Sequence, residues 1–142
     1  MSWVFVFLLF NSPDLWSADR LVLISPHWEG IKYEFERAFK VRHQSDTGRT
    51  VELEWIDVGG SSETLRYLES EFTNKPTGIG IDIFFGGGFD PYVALKNADL
   101  LESYTLPKSL LENIPSKLAG VPLYDPDHGW YGATLASFGI VY

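Results

Sequence analysis

From residue 20 onward the chain repeats one pattern three times: a short apolar run, a break rich in glycine, proline or serine, then apolar residues at helical spacing. Strands joined through helices of this length run parallel with right-handed crossovers, so the pattern restricts the chain to an α/β arrangement. Residues 21–25 form the first predicted strand, Ser25-Pro26 ends it, and Ile31, Phe35, Ala38 and Phe39 mark a helix that stops near Gly48. Val51, Leu53, Trp55 and Ile56 form the second strand. Gly59-Gly60 then turns the chain, Ser61 or Ser62 caps the next helix, and Glu63 lies in its positive first turn. Leu65, Leu68 and Phe72 supply that helix's buried stripe, and Pro76 and Gly78 close it. Residues 79–85 are the third strand, with Val93, Ala94, Leu95 and Ala98 on the helix that follows. The expected fold is an open, mostly parallel sheet with flanking helices.

The third junction is the sharpest of the set. In DIFFGGGFDPY, residues 82–92, an apolar strand runs directly into Gly86, Gly87 and Gly88, and Asp90-Pro91 reads as N-cap plus first-turn proline. Such a loop leaves backbone N–H groups facing open space at a helix start, where anions and polar groups are favoured. A tight turn without a ligand fits the same residues.

The chain has 142 residues, 45% of them apolar, which suits one domain with a core of its own. A formal net charge of -8 and scattered basic residues argue against a nucleic-acid groove or an anionic membrane surface. The absence of cysteine excludes a disulfide scaffold, a cysteine zinc site and a thiol nucleophile. At the N-terminus, residues 3–10 form an apolar run too short to span a bilayer but long enough for a signal-peptide core. No Lys or Arg precedes it, and Trp16 stands where a cleavage after Ala18 would want a small residue, so residues 1–19 read as an atypical signal peptide. The other reading of the run is an ordinary first strand.

The last third has a different character. Residues 106–115 allow only a short helix, and residues 122–132 look like a hairpin around Asp125, Pro126, Asp127 and Gly129. Residues 133–142 are strand-like up to Tyr142, either a chain cut short at that strand or a terminal strand tucked into the sheet.

Signatures of catalysis are few. The triglycine loop lacks the Lys-Ser/Thr of a nucleotide-phosphate loop, Pro91 stands where the dinucleotide fingerprint wants its last glycine, and no G-x-S-x-G elbow occurs. Ser25, His27 and Asp57 all fall near strand ends without triad spacing; Asp125, Asp127 and His128 offer metal-ligand chemistry, but Asp-Pro-Asp is what a turn selects by itself and no calcium-loop pattern is completed. No catalytic residue, metal ligand or cofactor is assigned. Three loops remain at the carboxyl ends of three strands: Ser25-Pro26-His27-Trp28, Gly59-Gly60-Ser61-Ser62 and Gly86-Gly87-Gly88. That edge is where open α/β sheets bind ligands. The expected ligand-binding residues are Ser25, His27, Trp28, Ser61, Ser62, Gly86, Gly87 and Gly88, with Trp28 either covering an apolar part of a solute or packing on the protein.

The motifs SPH after the first strand, DIFFGGG at the third and the tail PLYDPDHGWYGATLASFGIVY resemble the extracellular, periplasmic solute-binding proteins of bacterial ABC importers, of the iron(III)-binding-like type. The resemblance spans residues 20–142. It implies the amino-terminal lobe of a two-lobed α/β receptor, stopping at the hinge strand, which captures a small solute outside the cell and presents it to a membrane permease. Iron-binding members place a histidine in the loop after the first strand, matched by His27, and an acidic residue after the third, where this chain has Gly86 to Gly88. A small polar or anionic solute is therefore expected, with ferric iron or a ferric chelate as the alternative. A small hydrolase or transferase using His27 as base is the rival of another class. An exposed hinge strand at residues 133–142 would also favour association between chains.

Overall fold

A computed structural model describes residues 18–134. Its centre is a sheet of parallel strands in the order β2-β1-β3, built from β1 (Asp19–Ile24), β2 (Val51–Ile56) and β3 (Ile83–Phe84). β1 and β2 pair along their whole length, from Asp19 opposite Val51 to Ile24 opposite Ile56, whereas β3 pairs only Ile83 with Leu23 and Phe84 with Ile24. Helices α1 (Glu29–Thr47), α2 (Ser61–Asn74) and α3 (Asp90–Asn97) follow the three strands, giving the strand-helix alternation the sequence predicts. Among the described residues no helix is long and apolar enough to cross a membrane.

β1 is the central strand, paired along both edges, and its Val22, Leu23 and Ile24 are buried beneath the helices of the crossovers. Ile24 packs with Leu68 of α2 and Leu95 of α3, and Leu65, Phe84, Leu100 and Leu101 close around them. Each of those three buried side chains contributes about 2 kcal/mol through the apolar area it removes from water.

The opposite face is more open. α1 ends as expected at Gly48, whose φ of 72° makes a left-handed cap bonded back to Gln44. The residues at helical spacing that mark this helix are only partly covered, with Phe35 and Phe39 49% and 40% exposed. Phe35 meets Phe85 edge-on at 4.7 Å, and the Trp55 indole donates to Glu36 at 2.8 Å. The buried residue of α1 is Lys32.

Several boundaries differ from the sequence reading. The third strand shrinks from residues 79–85 to Ile83–Phe84, although Asp82 and Phe85 still donate to the Val22 and Ile24 carbonyls at 2.9 Å. Gly80 at φ 74° interrupts the extended run, and the Asp82 carboxylate accepts the Val22 N–H at 2.7 Å where a ladder would place a main-chain carbonyl. Helix α3 begins one residue early, so Asp90 is its first residue rather than its cap. Helix α2 is flanked by Gly60, and neither Ser61 nor Ser62 caps it through its side chain.

The last third carries a one-turn helix α4 (Lys108–Leu111) and a small antiparallel pair, β4 (Lys117–Leu118) with β5 (Val121–Pro122), that the sequence reading did not anticipate. The expected hairpin over residues 122–132 is present in reduced form, as an antiparallel bridge between Tyr124 and Tyr131 with Asp125 bonded to the Trp130 carbonyl. The apolar run at residues 3–10, the signal-peptide reading of residues 1–19 apart from Ala18 and Asp19, and the strand expected at residues 133–142 beyond Thr134 lie outside the described residues.

Candidate functional site

Because β1, β2 and β3 are parallel, their three following loops leave from one edge of the sheet. They meet at Gly87: a methyl group placed there would stand 2.7 Å from Ser61 Oγ and 3.7 Å from Pro26 Cγ. The residue thus lies close to both of the other loops, with no room for a side chain towards Ser61, and its φ of 82° is a conformation that side chains disfavour. Gly86, at φ 95°, lies directly beneath the His27 ring, which also meets Phe85 edge-on at 5.4 Å.

The eight expected site residues fall into different settings. Ser25 is fully buried, and its Oγ accepts the His27 N–H at 3.2 Å, so it shapes the first loop from within. His27 and Ser61 are half-buried where the loops touch, while Ser62 is exposed on the outer side of the first turn of α2. Trp28 is 71% exposed, with its ring lying over Gly30 at the start of α1. Gly88 has open space around it. Among the described residues, the N–H groups of Gly86, Gly87, Gly88, Ser61 and Ser62 have no protein acceptor. The loops therefore present a set of unused donors, the chemistry that suits an acceptor oxygen.

Two residues that the sequence reading passed over hold these loops in place. Tyr92 donates its hydroxyl to the Gly86 carbonyl at 2.7 Å and the Phe84 carbonyl at 3.1 Å, and burial pushes that hydroxyl's pKa up. Lys32, only 2% exposed, donates to Asp57 at 2.8 Å and to Glu29 at 2.7 Å. The bond to Asp57, then that to Glu29, raises the lysine pKa against the opposing effect of burial. Lys32, and next the Gly59 N–H at 3.0 Å, hold the Asp57 carboxyl below the usual carboxylate range. A lysine one place from the 31-35-38-39 stripe and an aspartate closing a strand were the available signals.

No two side chains of Ser25, His27 and Asp57 hydrogen-bond each other: the Ser25 hydroxyl accepts the His27 backbone N–H and the Asp57 carboxylate serves Lys32 and the Gly59 N–H. Among the described residues no three His, Asp or Glu side chains gather to hold a metal ion. At the Asp125-Pro126-Asp127 turn, Lys96 stands 3.4 Å from Asp125 and 3.3 Å from Asp127, and the Gly129 N–H donates to Asp125 at 2.9 Å. A groove of about 950 Å³ lies beside β3, and Phe72, Ile81, Phe84, Leu100 and Trp130 make its lining largely apolar. It contains none of the eight expected residues, and a polar solute is better matched by the loop donors. Comparison of the sequence with protein-family models and with curated proteins gives no match.

Proposed function

We propose that residues 20–142 are the amino-terminal lobe of a periplasmic or extracellular solute-binding protein, the receptor that hands a small polar or anionic solute to an ABC permease. The observation that carries this reading is the meeting of three strand-end loops at Gly87, with the Gly86 to Gly88 and Ser61 N–H groups unused around it. Binding requires only that such donors be satisfied, whereas turnover requires a positioned nucleophile or an acid-base pair. The exposed Trp28 ring offers an apolar surface beside the donors.

The test is a titration of the full chain with inorganic phosphate, sulfate, acetate and ferric citrate, followed through the backbone amide signals. One lobe of a receptor that binds at micromolar affinity retains a dissociation constant of roughly millimolar if it provides about half of the binding free energy. Saturable shifts centred on Gly86 to Gly88 and Ser61 are expected with one of the oxyanions. Paramagnetic broadening around His27 with ferric citrate alone would favour the iron reading. Hydrolysis of ester or phosphoester substrates, lost in His27→Ala, would replace the receptor reading by the enzyme one.

A further inference from the structure

Lys32 does something that its helix does not require. It lies beside the apolar stripe of α1, where an uncharged side chain would be covered as well, and a buried ion pair is seldom worth more to stability than apolar packing of the same volume. Its two acceptors are mostly exposed, Glu29 at 87% and Asp57 at 51%, so the ammonium has been brought inward to partners that water would otherwise serve.

The consequence lies on the far side of Asp57. One carboxylate oxygen accepts from Lys32 at 2.8 Å and the other accepts the Gly59 N–H at 3.0 Å, so the lysine is tied through the carboxylate to the second loop's backbone. Gly60 follows, and its carbonyl accepts both the N–H and the hydroxyl of the fully buried Thr64, at 2.9 and 3.0 Å. Ser61, between these anchors, is the residue whose hydroxyl limits the approach of Gly87. A continuous line of contacts therefore runs from α1 through Lys32, Asp57 and Gly59 to the point where the second and third loops touch.

We propose that Lys32 is a positioning residue for the candidate site, setting through Asp57 the placement of Ser61 against the triglycine loop. The proposal deepens the solute-binding reading and rests on it for its functional meaning. It does not place Lys32 against the solute, because the side chain is enclosed and both of its partners are accounted for.

The experiment compares Lys32→Met and Asp57→Asn with the wild-type full chain, using Lys75→Met as control, since Lys75 is an exposed lysine paired with Glu71. Backbone amide signals are recorded first, then phosphate titrations. Both variants are expected to move the signals of Gly59, Ser61 and Gly87 well beyond any change in the control, and to weaken phosphate binding about tenfold. Movement confined to Gly59, with Ser61 and Gly87 unchanged, would overturn the proposal and leave Lys32 a purely structural residue. If Lys32→Met does not fold, Asp57→Asn, altered at a half-exposed side chain, decides the question by the same signals. If the wild-type chain shows no saturable phosphate binding, phosphate is rejected as solute, and the amide shifts still decide whether Lys32 positions the loops.

Discussion

The Tyr92 hydroxyl stands 2.7 Å from the Gly86 carbonyl oxygen, so the first turn of α3 holds the loop that precedes it. The same proton is shared with the Phe84 carbonyl at 3.1 Å, and the ring stacks on Phe84 with centroids 4.6 Å apart. With that carbonyl engaged, the loop cannot turn over without losing a partly buried hydrogen bond. Tyr92→Phe keeps the ring and removes the donor, so unfolding free energy should fall by about 1 kcal/mol in a urea titration. Amide exchange at Gly87 and Gly88 should quicken in the same variant. Unchanged exchange would show that the glycine loop is held by something other than Tyr92.

Gly87→Ala brings two penalties together. Its φ of 82° is unfavourable for alanine, and the new methyl would lie 2.7 Å from Ser61 Oγ and 3.3 Å from Ser61 Cβ. A residue forced into such a region costs about 1–3 kcal/mol. Gly88→Ala, where nothing lies within 4 Å and φ is ordinary, should be close to neutral. Ser61→Ala should recover part of the Gly87→Ala loss, because it removes the nearer of the two opposing atoms. A strictly additive double-mutant cycle would mean that the loops are not in contact in solution.

Much of this architecture was legible because apolar runs, glycine breaks and helical stripes are local signals. Gly48, Gly59-Gly60 and Pro91 punctuate the chain close to where the sequence suggests, and parallel connectivity then brings the three loops to one edge. What escaped depends on distant partners. The end of regular pairing at Ile83 depends on the Asp82 side chain reaching the Val22 N–H, sixty residues away in sequence. The burial of Lys32 depends on Asp57, which belongs to another loop, and periodicity assigns a lysine to solvent. The Ser25 hydroxyl looked available for a ligand because the sequence cannot show that it turns inward to the His27 N–H.

His128 offers a test of the C-terminal hairpin. Tyr131 Oη lies 2.8 Å from both His128 Nδ1 and the Tyr104 carbonyl, and it also receives the Leu106 N–H at 3.3 Å. A carbonyl can only accept and a phenol has one proton, so Tyr131 donates to Tyr104 and His128 Nδ1 must donate to Tyr131. Neutral His128 therefore carries its proton on Nδ1. Nitrogen-15 spectra should show a protonated Nδ1 and an unprotonated Nε2, with the preference lost in Tyr131→Phe. The reverse assignment in the wild type would break the hydrogen-bond network described for the hairpin.

The Lys32–Asp57 pair predicts a particular dependence of stability on pH. Asp57 is held below its ordinary value of 3.8, so its contribution is complete above that value and is lost as pH falls through the lower folded value. Lys32 is held above its ordinary 10.5, so its contribution is complete below 10.5 and is lost as pH rises through the higher folded value. Other carboxylates also titrate in acid, Glu36 beside Lys40 among them, which makes the wild-type curve alone insufficient. The informative quantity is the difference in unfolding free energy between wild type and Lys32→Met. That difference should be level from about pH 5 to 10, then move towards the variant at both extremes as the pair loses one of its charges. In an Asp57→Asn background the effect of Lys32→Met should lose most of this acid-side change. A wild-type minus Lys32→Met difference that stays level below pH 3.8 would mean that the two side chains are not paired in solution.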